Sequence, residues 1–188
     1  NTYQISIKDL LKRDLKVSKF IGSIEIELYS SFDLKYSFPA IDAIYETRQG
    51  ISLVHSNQRI FDNLQDNLNN QSINQIQTGF DIYYDNKNES FVSVINGPIA
   101  LKQKKMKIDF FNFKGEKQRK IILYKSIKPY ELIYFQLNIF KNLKKFLGGK
   151  RGYCKIDLPT KNIFNRILVG TLSNDKNKIT TTHRYFDC

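Results

Sequence analysis

The stretch from Lys104 to Tyr124, KKMKIDFFNFKGEKQRKIILY, constrains this chain more than any other. Met106, Ile108 and Phe110 alternate with Lys105, Lys107 and Asp109, and a period of two puts each set on its own side of an extended strand. A helix would scatter the same apolar side chains round its circumference. The spacing therefore predicts a hairpin, with its turn at Lys114–Gly115–Glu116. A two-stranded ribbon with one apolar face is not stable alone in water, so a second layer must cover it.

The same period recurs along the chain. SIEIELYSS sets Ile24, Ile26 and Leu28 against Glu25, Glu27 and Tyr29, and PAIDAIYET and GISLVHS follow as further strands. GFDIYYD and ESFVSVI flank the turn letters NKN. PYELIYFQLN, GYCKIDL, NRILVGTL and KITTTHRYFDC complete the set, the last two joined by SNDKNK. Helical spacing is confined to three places. Ile7, Leu10, Leu11 and Leu15 follow a Ser6 N-cap, Phe61, Leu64 and Leu68 allow a turn or two in an Asn- and Gln-rich connection, and IFKNLKKFLGG ends on a Gly-Gly stop. Evenly spaced strands with little helix predict an all-β fold. The expectation is a single antiparallel β-sandwich, jelly-roll or immunoglobulin-like, with a short N-terminal helix. The chain divides into a helical segment at 1–21 and a sandwich domain at 22–188.

A chain of 188 residues buries about 70% of the surface its unfolded form exposes, so neither a disulfide nor a metal is needed for stability. The two cysteines, Cys154 and Cys188, are read either as a disulfide or as two free thiols. No apolar run approaches the roughly 20 residues of a membrane-spanning helix. The chain opens without an initiating methionine, which suggests a domain of a longer protein or a processed product. The compartment is unconstrained.

Familiar catalytic patterns are missing: there is no G-x-S-x-G, no G-x-x-x-x-G-K-[ST], no H-E-x-x-H and no G-x-G-x-x-G. Glu25 and Glu27 would project from one face of a strand, as a paired-carboxylate site would need, but a solvated sheet face is the expected reading. His183 lies in a Thr- and aromatic-rich terminal strand with Asp187 and Cys188. On a strand His183 and Asp187 sit about 13 Å apart, whereas ligand atoms must converge to about 2 Å from one ion. The other histidine, His55, changes that only if its strand neighbours that of His183. The pair with Asp187, near Cys188 or Arg59, would then resemble a two-histidine, one-carboxylate metal set. That is the enzymatic alternative.

The formal net charge is +12. Abundant Lys, Asn and Ile with scarce Ala and Arg fit an AT-rich coding bias, which spreads lysine over every soluble position. A functional reading needs clustering. Lys105, Lys107, Lys117 and Arg119 fall on the polar face of the predicted hairpin, a stripe able to hold nucleic acid or an acidic polymer. Lys141, Lys144, Lys145, Lys150 and Arg151 form a second group. Single-strand readers interleave exposed aromatics with such charges, and only Phe111 and Phe113 qualify here, so nucleic acid is not the expected partner. The coding-bias reading expects these lysines to be scattered.

Three stretches carry a family resemblance: GSIEIELYSSFDLKYSFPAI with SLVHSNQRIF, GFDIYYD with FVSVINGP, and RILVGTLSNDKNKITTTHRYFDC. Together they resemble uncharacterised bacterial β-sandwich proteins associated with surface-glycan gene neighbourhoods, over Gly22 to Cys188. The resemblance implies a sandwich and a tilt towards glycans, and brings no catalytic residues. The expected function is a non-enzymatic binding or structural module contacting a glycan or a partner protein, with no cofactor. Abundant Tyr, Asn and Gln suit stacking on sugars and hydrogen-bonding their hydroxyls, with Tyr83, Tyr84, Asn86 and Asn96 as the candidate contacts.

Overall fold

A computed structural model describes residues 3–12, 20–24, 26, 31, 41–55, 77–96, 100–158 and 166–185. Its strands are β1 (Asp42–Thr47), β2 (Gly50–His55), β3 (Gln77–Tyr83), β4 (Asn88–Ile95), β5 (Leu101–Phe111), β6 (Lys117–Ile127), β7 (Leu132–Gln136), β8 (Arg151–Asp157), β9 (Arg166–Ser173) and β10 (Ile179–Tyr185). Two short helices, α1 (Ile7–Leu10) and α2 (Leu143–Leu147), accompany them. No helix among the described residues is long and apolar enough to cross a membrane.

The alternation at 104–124 becomes the β5–β6 hairpin, whose Met106, Ile108 and Phe110 are fully buried. Its turn is five residues, Asn112–Glu116, rather than the expected Lys114–Gly115–Glu116. Asn112 is the reason. Its Oδ1 accepts the backbone N–H groups of Lys114 and Glu116, both at 3.0 Å, and its Nδ2 donates to Glu116 Oε2 at 2.7 Å. Gly115 supplies the positive φ of +78° that closes the loop.

Among the described residues all strand pairs are antiparallel and form two four-stranded sheets, β10-β9-β4-β7 and β3-β8-β5-β6, with β1 and β2 as a separate ribbon. The pairings β5·β6, β4·β7 and β3·β8 are nested, one hairpin inside the next. Rolling that long ribbon places alternate pairs in opposite sheets, which is the jelly-roll path rather than the immunoglobulin one. The core lies between the sheets. Phe80, Ile82, Met106, Ile108, Phe110 and Ile156 from one meet Val92, Val94, Ile133, Phe135, Ile167 and Val169 from the other.

The expected strands at NKN exist but belong to different sheets, joined across Asp85–Lys87 by the single bridge Tyr84↔Glu89. Asp85 Oδ1 accepts from the N–H groups of Lys87 at 2.6 Å and Asn88 at 2.7 Å, and this tight corner turns the chain from one layer to the other. The helix at IFKNLKKFLGG is α2, stopped by Gly148 at φ +66°. At the N-terminus α1 is capped by Ser6, whose Oγ accepts from the Asp9 N–H at 3.3 Å, and it buries no side chain. The strand expected at SIEIELYSS is not seen where that stretch is described. Ser23, Ile24 and Ile26 have no ladder partner among the described residues, and Ile24 and Ile26 are half exposed. Glu25 and Glu27, and the helical turn round Phe61, Leu64 and Leu68, lie outside the described residues.

Candidate functional site

The outer face of sheet β3-β8-β5-β6 is a grid whose rows follow from strand register. Tyr83 stands beside Arg151, then Asp81 beside Tyr153, Phe111 and Lys117, then Gly79 beside Lys155, Asp109 and Arg119. Asp157, Lys107 and Ile121 follow, and Lys105 and Leu123 close the grid. All four hairpin cations singled out in the sequence share this face. They do not make an unbroken stripe, because carboxylates from neighbouring strands interrupt it.

Arg119 grips Asp109 with two hydrogen bonds of 2.6 and 2.8 Å, Lys117 lies 3.7 Å from the same carboxylate, and Lys107 reaches Asp157 at 3.3 Å. The Arg119 hydrogen bond holds the Asp109 carboxyl below its ordinary range, with the Lys117 charge adding to it. Asp157 is nearly buried, and its Oδ1 has no hydrogen-bond partner. Lys105 has no carboxylate partner among the described residues.

Aromatic rings occupy the upper rows. Tyr153 is 44% exposed and leans across Gly79, its hydroxyl 1.7 Å from where a Cβ at that position would stand. Glycine is therefore required there for the ring to lie over the sheet. Phe111 packs beside Tyr153 with centroids 6.1 Å apart, and Tyr83, 39% exposed, carries the Arg151 guanidinium 6.0 Å from its ring centre. Arg151 also pairs with Asp81, so an ion pair separates the two tyrosines.

The loops at this end are locked to one another. Lys144 of α2 donates to Asn86 Oδ1 at 2.7 Å and lies 5.7 Å from the Tyr84 ring centre. Asn174 donates to the Asn86 carbonyl at 2.6 Å, and Asn112 Nδ2 reaches the Phe146 carbonyl at 3.4 Å. Tyr83 faces out from the sheet, whereas Tyr84, the next residue, is partly buried against the core, and Asn86 lies in the turn that follows. Asn96 does not join them. It lies past the far end of β4, 4% exposed, with Nδ2 on the Lys128 carbonyl at 2.8 Å and its N–H on Glu131 O at 3.0 Å, bracing the β6–β7 connection. Sequence reasoning missed Tyr153 and Gly79. Glycine inside a strand was the available signal for a close approach.

The two histidines do meet. His55 of β2 and His183 of β10 have ring centroids 4.2 Å apart in an edge-on arrangement, because the β1–β2 ribbon lies along β10. Asp187 and Cys188 lie outside the described residues, and among those described no group of three His, Cys, Asp or Glu is placed to hold a metal ion. Cys154 is a free thiol on the inner face of β8, and burial pushes its pKa up, which suppresses the reactive thiolate. Family models, curated proteins and solved structures give no match to this chain.

Proposed function

We propose that the protein is a non-enzymatic binding module that holds a glycan against the upper rows of its β3-β8-β5-β6 face and the adjoining loops. One observation carries the reading: the Tyr153 ring laid over Gly79, next to Phe111 and one strand step from Tyr83. A partly exposed ring backed by a sheet offers a rigid apolar plane at low entropic cost, suited to the C–H faces of a sugar. The Asp81–Arg151 pair between the tyrosines supplies a carboxylate acceptor and a guanidinium donor for hydroxyl groups. Asn86 is anchored by Lys144 and Asn174, so the rim is ordered before any ligand arrives.

A glycan array screened with the full chain tests the reading, followed by titration of the best ligand into variants. Tyr153→Ala is expected to weaken binding by about tenfold, the loss of one stacking contact worth roughly 1.4 kcal/mol. Gly79→Ala should weaken it too, because a Cβ there would push the Tyr153 ring off the sheet. An array with no ligand, or a ligand indifferent to both changes, would remove the proposal.

A further inference from the structure

We infer that the ligand of this site is an acidic saccharide, its negative group seated between Lys114 and Lys150 at the Phe113 ring. The inference rests on the glycan reading above and adds the charge of the ligand. Phe113 stands in the β5–β6 turn, 57% exposed, with Lys150 Nζ 4.0 Å and Lys114 Nζ 5.9 Å from its ring centre. Neither ammonium has a carboxylate partner among the described residues. On the neighbouring sheet face the pattern is the opposite, each of Asp81, Asp109 and Asp157 being matched to a cation.

The imbalance belongs to the loops themselves. Segments 84–87, 112–116 and 141–150 carry six lysines against two carboxylates, Asp85 and Glu116. Both carboxylates are committed to holding turns: Asp85 accepts the Lys87 and Asn88 N–H groups, and Glu116 accepts from Asn112 Nδ2. Asp85 also feels the charge of Lys144, but among the described residues neither carboxylate is paired with Lys114 or Lys150. The positions are also fixed. Asn112 ties the Phe113 turn to Phe146 of α2, and Gly148 at φ +66° ends α2 just before Lys150. Two ammonium groups beside one exposed ring suit a sugar bearing a carboxylate, sulfate or phosphate ester, the ring meeting the apolar sugar face and the lysines the anion. A single-stranded nucleic acid fits less well, because its evenly spaced phosphates would have to run past Asp81 and Asp109 on the adjoining face.

The test is titration of the full chain with polygalacturonate, dextran sulfate, neutral dextran and oligo(dT), at low and at moderate salt. At least one acidic saccharide is expected to bind about tenfold tighter than dextran, with the advantage falling as salt screens the lysines. Lys114→Ala with Lys150→Ala should erase most of that advantage, while Lys8→Ala with Lys12→Ala should leave it. Binding of neither acidic polymer, equal loss in the two double variants, or oligo(dT) binding tighter than both saccharides would overturn the inference. Neutral-glycan binding that depends on Tyr153 but not on the lysines would overturn the charge while leaving the glycan reading in place. Failure of every saccharide would remove both.

Discussion

Asp109 shows how one side chain sets the electrostatics of a sheet face. It stands opposite Arg119 in the hairpin register, where cross-strand side chains on one face meet. Bidentate contact with the guanidinium depresses its pKa, so the pair stabilises the fold fully above the unfolded carboxyl value, near pH 4. That contribution is lost as pH falls through the lower folded value. Asp109→Asn should therefore narrow the gap to the parent protein between about pH 5 and pH 2, measured as urea midpoints. A gap that stays constant over that window would mean the pair contributes through packing alone. The pairing was not legible in the sequence, because a turn at Lys114–Glu116 would set Asp109 opposite Ile121, and the five-residue turn moves it to Arg119. The Lys107–Asp157 pair was not legible either, being fifty apart and joined only by the pairing of β8 with β5.

At the scale of elements, the β1–β2 ribbon deals with the exposed edge of β10. An unpaired edge invites association with other chains. Here Ser52 Oγ accepts the Thr181 N–H at 2.8 Å and lies 2.7 Å from Thr181 Oγ1, and the Gln49 N–H reaches the Asn177 carbonyl at 3.0 Å. Ser52→Ala leaves the Thr181 N–H without that acceptor. It should speed hydrogen exchange at that amide and cost about 1 kcal/mol of stability. Unchanged exchange at Thr181 would refute the guarding role of the ribbon. Both strands were legible from their composition, but their place beside β10, and so the meeting of His55 with His183, was not. Within β5 the buried side switches between Leu101 and Met106, and Gln103 at φ +46° sits at the switch. Simple alternation misses such a reversal, because one non-extended residue resets the parity.

Across the whole molecule, Phe110 links the layers. It projects from β5 against Phe140 at 5.1 Å between centroids, and Phe140 in turn meets Phe135 of the opposite sheet at 5.7 Å. Phe110→Ala should cost about 3–5 kcal/mol, since the cavity lies where neither sheet is able to collapse alone. Phe111→Ala, one residue on and facing outward, should cost far less. Similar losses from the two in denaturant titrations would contradict the inward and outward assignment.

Most strands were determined by the sequence alone, since alternation is a property of a few successive residues and needs no partner to be read, although the strand expected at SIEIELYSS is not seen where described and the buried side of β5 reverses at Gln103. The α2 stop at Gly148 and the Ser6 cap belong to the same local class. Only the tertiary structure decided which strands are neighbours. It therefore decided that the hairpin cations are largely neutralised, that Tyr153 covers Gly79, and that Asn96 braces the far end instead of joining Tyr83 and Asn86. Each outcome depends on contacts across dozens of residues. Those contacts form when the rolled ribbon brings distant strands into register, and no periodicity within a single strand encodes that register.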